Sequence, residues 1–266
     1  MLYKLKRLFL WVKEFGLPGL VVLYAAGHRD PLRIYRLRSR RYGVLHVRGR
    51  LEDVEAINTV LCFEAYKCRE SFLPIGAVVD LGANIGLATR YFMSVLPGVR
   101  ILAVEPSEEN CRLFRMNLSA SEERGTVELK TCAAGPRSGH GWLLRSRDGR
   151  MDSLSVEISA VASGASEGAV AVREISEFLS DLPRPILMKM DVEGMEDALL
   201  HDRKRWIEPV EIMMIEFHGA DLERKWVGTL REEEWTATKQ FDTWHSLRRS
   251  LQSQSISSVG EQRGLG

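Results

Sequence analysis

Seven consecutive residues, Asp80-Leu81-Gly82-Ala83-Asn84-Ile85-Gly86, join an apolar run, Ala77-Val78-Val79, to a helix-like segment, residues 87–93. A strand, a Gly-rich turn and a helix together form the cofactor cradle of an open α/β sheet. The details of the turn decide which cofactor fits. A dinucleotide fingerprint, G-x-G-x-x-G, needs a glycine where this chain has Asn84, because the backbone must approach a pyrophosphate there. Asp80 closes the strand, and an acid repels a pyrophosphate but favours a cationic cofactor without phosphate. S-adenosylmethionine is such a molecule, with Asp80, Gly82, Asn84 and Gly86 as the contacts the turn offers.

Three further acidic groups fall at the ends of apolar runs. Glu105 lies 19 residues beyond Gly86, after residues 99–104. A carboxylate there can accept hydrogen bonds from the vicinal hydroxyls of a ribose; the plainer alternative is a helix-capping charge ahead of Pro106. Asp191, Glu193 and Glu196 put three acids within six residues after the apolar residues 186–190. Acids at a strand end are costly unless paired, metal-bound or functional. Lys189 can neutralise one, and a solvated helix N-terminus is the alternative. Glu216 and His218 close the run 210–217.

These groups suit methyl transfer to a hydroxyl, which needs positioning and a base within reach of the departing proton. His218, whose ordinary range lies near neutrality, is the preferred base, with Asp191 orienting cofactor or acceptor. Asp191 or Glu193 could serve instead if burial raises them, and a His218 with only a packing or solvated role is an equal alternative. Asp191, Glu193, Glu216 and His218 could also gather a divalent cation; this version is not favoured, and no resident metal is expected.

Such groups must be carried by alternating strands and helices. Strands are expected at residues 78–81, 99–104, 126–132, 186–190 and 210–217, with a short one at 140–144. Helices are expected at 85–96, 107–118, 175–182 and 194–206, with Ser107 as an N-cap ahead of Glu108 and Glu109. Alternation of this kind gives a parallel sheet covered on both faces, with ligands beyond the carboxyl ends of the strands. Residues 157–169, rich in Ser, Ala and Gly, read as a loop. Ahead of the core, residues 32–38 and 44–48 read as a hairpin with arginines on its wet face, and 51–66 as a helix. The chain thus divides into a basic extension, 1–70, a core, 71–220, and a polar tail, 221–266, in which no convincing strand pair is seen and which reads as disordered from Ser250.

The chain has 266 residues, 45% apolar and 27% charged, with a net charge of +1. That is ordinary globular composition and speaks against a dedicated nucleic-acid binder. The balance hides an asymmetry: residues 1–50 hold 12 Lys and Arg against 2 Asp and Glu, a net +10, leaving −9 for the rest. A basic arm can meet anionic lipid, an anionic glycan or the domain's own acids, or remain a solvated surface. The amphipathic start and the interrupted apolar run 15–26 are too short to span a bilayer. A docked helix is preferred over a surface membrane anchor or a signal sequence. Cys62, Cys68, Cys111 and Cys132 show no metal or redox spacing, as expected of thiols in a reducing, cytoplasmic compartment. Nothing in the sequence sets an oligomeric state.

Four motifs carry a resemblance to a known family: residues 79–86, Ala103-Val104-Glu105-Pro106, the Lys189-Met-Asp191-Val-Glu193-Gly-Met-Glu196 signature, and Ile215-Glu216-Phe217-His218. Over residues 55–220 the chain resembles the FkbM-like methyltransferases. The resemblance implies a Rossmann-like class I methyltransferase fold and transfer to the oxygen of a sugar, glycan or secondary metabolite. It implies Asp80, Gly82, Asn84, Gly86 and Glu105 as contacts of S-adenosylmethionine, and Asp191 and Glu193 near the reacting centre. Such folds usually end in an antiparallel strand pair. Two rivals of other classes are a nicotinamide-dependent oxidoreductase and a non-catalytic, membrane-associated binding module.

Overall fold

The computed structural model describes residues 2–28, 33–67, 74–148, 151–157, 166–233 and 235–248. Two helices, α1 (Leu2–Phe15) and α2 (Leu17–His28), break at Gly16, whose φ of 67° permits the reversal. A hairpin follows, β1 (Ile34–Ser39) and β2 (Gly43–Arg48), with residue-for-residue antiparallel pairing from Ile34–Arg48 to Ser39–Gly43. The expected helix over 51–66 is shorter: α3 (Leu51–Ala56) continues into a π-helical turn, Ile57–Cys62.

The core begins with β3 (Ala77–Leu81), α4 (Leu87–Val95), β4 (Arg100–Val104), α5 (Glu108–Glu123) and β5 (Val127–Lys130). Next come four strands, β6 (Ala133–Gly135), β7 (Gly139–Asp148), β8 (Met151–Glu157) and β9 (Ser166–Glu174), and the short helix α6 (Ile175–Leu179). The chain then returns with β10 (Ile186–Met190), α7 (Glu196–His201), a 3₁₀ turn (Arg203–Arg205), β11 (Val210–Glu216), α8 (Ala220–Glu232), β12 (Trp235–Gln240) and β13 (Thr243–Arg248). The main sheet has seven strands in the order β12-β13-β11-β10-β3-β4-β5. β11, β10, β3, β4 and β5 are parallel, and β13 lies antiparallel to both β11 and β12.

β3 is buried along its whole length, as a central parallel strand with both faces covered must be. Its alternate residues feed two separate cores. Val78 packs with Tyr91, Phe92, Phe114 and Leu118 of α4 and α5, and with Trp11, Leu37 and Leu45 of the extension. Ala77, Val79 and Leu81 pack on the other face with Phe178, Leu199 and Leu230 of α6, α7 and α8. The basic extension therefore shares a core with the sheet. After β5 the chain crosses back to β10, so the order reverses between β3 and β10, the place where such sheets bind ligands.

Four further expectations are corrected. The tail holds the strand pair: Trp235 and Ala237 are buried while Thr238 is exposed, and the Phe241-Asp242 turn, with Phe241 at φ 56°, uses no glycine or asparagine to announce itself. α8 precedes the pair and buries Trp226, Val227 and Leu230 on one side. Of the expected loop 157–169, Glu157 ends β8 and residues 166–169 belong to β9, while 158–165 lie outside the described residues. The short strand at 140–144 extends to the ten residues of β7 and joins a separate sheet, ordered β6-β9-β7-β8. The helix expected from residue 194 starts only at Glu196, because Glu193 and Gly194 take left-handed φ values of 48° and 100°. Cys62, Cys111 and Cys132 are buried free thiols; Cys68 and the tail beyond residue 248 lie outside the described residues.

Candidate functional site

A cleft of about 270 Å³ opens beyond the carboxyl ends of β3, β4, β10 and β11. Its floor is the turn after β3. Gly82 adopts φ 73°, and a Cβ built on it would lie 1.8 Å from the carbonyl oxygen of Asp191. Only glycine lets the first turn and the β10 turn touch. The next residue but one, Asn84, is also left-handed at φ 49°, a conformation that asparagine tolerates better than most residues. Its Oδ1 is buried and has no hydrogen-bond partner within the protein. A buried acceptor in this condition needs a partner from outside the protein, a water or a ligand.

Glu105 ends β4 and ties the cleft floor together. Its Oε2 accepts the Asn84 N–H at 2.8 Å, and Oε1 accepts the Ser107 N–H at 2.9 Å and an Asn110 Nδ2–H at 3.2 Å. A carboxylate offers about four lone-pair sites, so one remains on Oε2. Burial raises Glu105 above the ordinary carboxylate range against the pull of these three bonds. The helix-capping alternative is thus part of the geometry: Glu105 binds the first turn of α5 and also lines the cleft.

Asp80 and Gly86 stand elsewhere. Asp80 is fully buried below the turn, where Oδ2 accepts the Thr89 hydroxyl at 2.6 Å and Oδ1 lies 3.3 Å from Lys189 Nζ. Neither it nor Gly86 lines the cleft. Gly86, at φ 87°, faces α5 instead, where a Cβ would come within 2.7 Å of Leu118 and 2.9 Å of Phe114. Lys189 reaches up from β10 to donate to the carbonyls of Leu81 and Gly82 at 3.2 and 2.6 Å, and sits 3.5 Å from Asp191. Burial works against its charge, but Asp80, Tyr66 and Asp191 hold it well above the usual lysine range.

The signature acids converge on His218. Glu196 Oε1 lies 2.9 Å from His218 Nδ1, while Nε2 faces Glu193 at 3.4 Å and Asp191 at 3.7 Å. Burial lowers the imidazole, but the Glu196 bond and the charges of Glu193 and Asp191 outweigh it and raise His218 to about 9. These acids favour the cationic form of the side chain. Glu216, also on the cleft wall, is pushed up to about 7, first by the charge of Asp191 and then by burial. Asp191, Glu193 and His218 offer ligand atoms within 4.8 Å of one another, so the structure brings together three of the four groups considered for a divalent cation.

Several lining residues carry no sequence motif. Arg48, Arg50, Glu55, Thr59, Val60 and Tyr66 of the extension line the cleft, as does Asp242 from the β12–β13 turn. Arg48 is buried in a bidentate pair with Asp53 at 2.8 and 3.1 Å, and Arg50 meets Glu109 at 2.9 Å. The lining holds seven carboxylates against two arginines. Only Asn110 had a detectable signal, since it stands three residues past the N-cap Ser107 and thus faces the strand end.

The family model for the FkbM methyltransferase domain matches residues 80–254. Methyltransferase 1 of Beauveria bassiana (strain ARSEF 2860) is 30% identical over 149 residues, covering 48% of this chain and 59% of that protein. The chain thus spans less than two thirds of that relative's length. Among solved structures, methyltransferase FkbM from Methylobacillus flagellatus KT matches with a TM-score of 0.51 and 18% identity over 71% of this chain and 47% of that one, a likeness of fold. A methyltransferase from Geobacter sulfurreducens aligns at 15% identity and a TM-score of 0.39, over 65% of this chain and 71% of that one. By the family match, which spans both the cleft-forming turns and the terminal strand pair, the chain belongs to the FkbM family of methyltransferases.

Proposed function

We propose that this protein is an S-adenosylmethionine-dependent methyltransferase acting on a hydroxyl of a sugar, glycan or secondary metabolite. The observation that carries the reading is the acidic cleft floor, where Gly82 admits close backbone approach and Asn84 leaves a buried acceptor open. Seven carboxylates suit a cationic cofactor and oppose a pyrophosphate, which disfavours a nicotinamide enzyme. Gly82, Asn84, Glu105 and Asp191 line the cleft and would hold the cofactor, with the free lone pair of Glu105 available to a ribose hydroxyl. Asp80 and Gly86 contribute from behind, Asp80 by fixing Lys189 and Thr89, and Gly86 by letting α5 close against the turn.

When bound, S-adenosylmethionine supplies a methyl group already activated by its sulfonium. The chain's own residues have to orient the acceptor and take its proton. Glu216 faces the cleft beside Asp191 and gains or loses its proton near neutral pH, the condition that suits a general base. His218 holds Glu193 and Asp191 in place as a cation and keeps the acid cluster from repelling itself apart. Glu216 would thus take the proton, with His218 orienting the acids around it.

Equilibrium binding of labelled S-adenosylmethionine tests the reading. Binding to the parent chain and its loss in Glu105→Ala and Asn84→Ala support it; equal binding in both variants defeats it. Turnover that persists after exhaustive chelation removes a metal from the reaction.

A further inference from the structure

Seven of the ten large apolar side chains that stand exposed among the described residues sit on α1 and α2. Their spacing is regular. Leu5, Leu8, Phe9 and Val12 recur every three or four residues along α1, and Leu17 and Val21 begin a second stripe on α2. Such spacing puts each set on one face of its helix. The adjoining face of each helix is already used. Trp11 and Phe15 on α1, and Val22 and Ala25 on α2, are buried against the core. Trp11 Nε1 also donates to Asn58 Oδ1 at 2.5 Å, and Arg7 meets Glu55 at 3.0 Å. The helices are therefore docked without help from the exposed stripes, Phe9 at 67% and Leu17 at 74% exposure being far outside any core.

The charge around the stripes is mainly positive, with Arg7 on α1 paired to an acid, Glu55. Lys6 and Lys13 are exposed on α1, and Arg36, Arg38 and Arg40 are exposed on the hairpin that abuts its end through the Arg40 N–H to Glu14 carbonyl bond. Among the described residues up to Arg50 the single carboxylate is Glu14. It is buried, bonded to Ser39 and 3.0 Å from Arg41, so it does not neutralise the surface. Neither helix is long and apolar enough to cross a membrane. An apolar stripe flanked by uncompensated cations on a short helix is the form that lies in a bilayer interface. A second copy of the chain fits this face poorly, because a two-fold contact would bring the exposed Lys6 and Lys13 of two copies together.

We infer that the exposed faces of α1 and α2 dock on an anionic membrane surface, with the apolar stripes in the headgroup boundary and the basic side chains on the phosphates. Arg7 and Trp11 connect this face to Glu55 and Asn58, and Glu55 lines the cleft. The cleft wall then stands about one helix diameter, ~10 Å, from the bilayer. The inference rests on the outer face of the extension and is independent of what the cleft binds.

Sedimentation of the full chain with vesicles tests it. The chain is expected to pellet with phosphatidylcholine vesicles containing phosphatidylglycerol, to stay in solution with phosphatidylcholine alone, and to be released by added salt. Phe9→Ser with Leu17→Ser removes exposed apolar area and is expected to weaken partitioning about tenfold with no change in melting temperature. Lys6→Gln with Lys13→Gln is expected to weaken it on anionic vesicles and serves as the test if the serine variant does not fold. Failure of the parent chain to pellet with anionic vesicles, or partitioning unchanged in both double variants, overturns the proposal. Concentration-dependent dimerisation that is abolished by Phe9→Ser, without vesicle binding, overturns it in favour of a contact between copies.

Discussion

Glu196 and His218 are bonded across two elements: Oε1 of the carboxylate lies 2.9 Å from Nδ1 of the imidazole. The same carboxylate, fully buried, accepts the backbone N–H groups of Val192 and Gly194 at distances of 3.0 to 3.3 Å. Glu196 thus folds the signature loop around itself and holds the imidazole at the end of β11, leaving Asp191 and Glu193 on the cleft side of the ring. The loop and the histidine form one unit.

A pH dependence of stability follows. His218 titrates near 9 in the folded chain and near 6.5 when free. A raised histidine favours folding when protonated, so its contribution is complete below about 6.5 and is lost as pH rises through about 9. Melting temperature should fall across that window in the parent chain and fall less in His218→Gln, where the raised Glu216 carboxyl still contributes a slope around neutral pH. Titration of the imidazole by NMR gives the direct check; a midpoint near the free value would falsify the arrangement.

Glu216 should govern the acid limb of the rate. Its carboxyl is pushed up to about 7 by Asp191 and burial, so turnover is expected to rise as pH passes through neutrality and the carboxylate forms. Glu216→Gln should cut kcat on the order of 10²-fold with little effect on cofactor affinity, and should remove the inflection. An unchanged acid limb in that variant would return the role of base to His218.

Gly82→Ala is expected to be severe. The added Cβ would meet the Asp191 carbonyl at 1.8 Å, and a φ of 73° disfavours any side chain. The two turns must separate, so cofactor affinity should drop at least about tenfold, with a stability loss of about 1–3 kcal/mol. Calorimetric titration beside thermal unfolding separates the two effects. Gly194→Ala serves as the comparison, because the space around that glycine is open and only its φ of 100° resists the change. Equal losses in both would show that backbone conformation, not contact between the turns, sets the requirement.

The parts of this fold that the sequence discloses are those where burial and chemistry coincide. Val78 and Val79 sit in a strand buried on both faces, and the acids at Glu105, Asp191 and Glu216 interrupt apolar runs at the strand ends where the cleft opens. Partners distant in sequence were harder to read. Asp80 reads as a cofactor contact, and nothing local announces its ion pair with Lys189, 109 positions later. The β12–β13 pair is half-polar and turns at Phe241-Asp242, yet it clamps the Tyr66 segment: His245 Nε2 lies 2.7 Å from the Ala65 carbonyl and Gln240 donates to that of Glu64 at 2.9 Å. No local pattern encodes those contacts, because their value arises only once the sheet edge exists.

Asp80 and Lys189 offer the last test, since their pair lies beneath the cleft and neither group reaches solvent. Lys189 is also the link between the two turns through the Leu81 and Gly82 carbonyls. Lys189→Met leaves Asp80 charged and without its cation in the core, and removing one partner of a buried pair costs about 3–5 kcal/mol. Lys189→Met combined with Asp80→Asn removes the stranded charge while keeping an acceptor for the Thr89 hydroxyl, and should recover much of that loss. Urea unfolding of the two variants reads the difference. If the single variant loses less than about 1 kcal/mol, or the double variant is no more stable than the single, the pair is not the strut that holds the Gly82 turn.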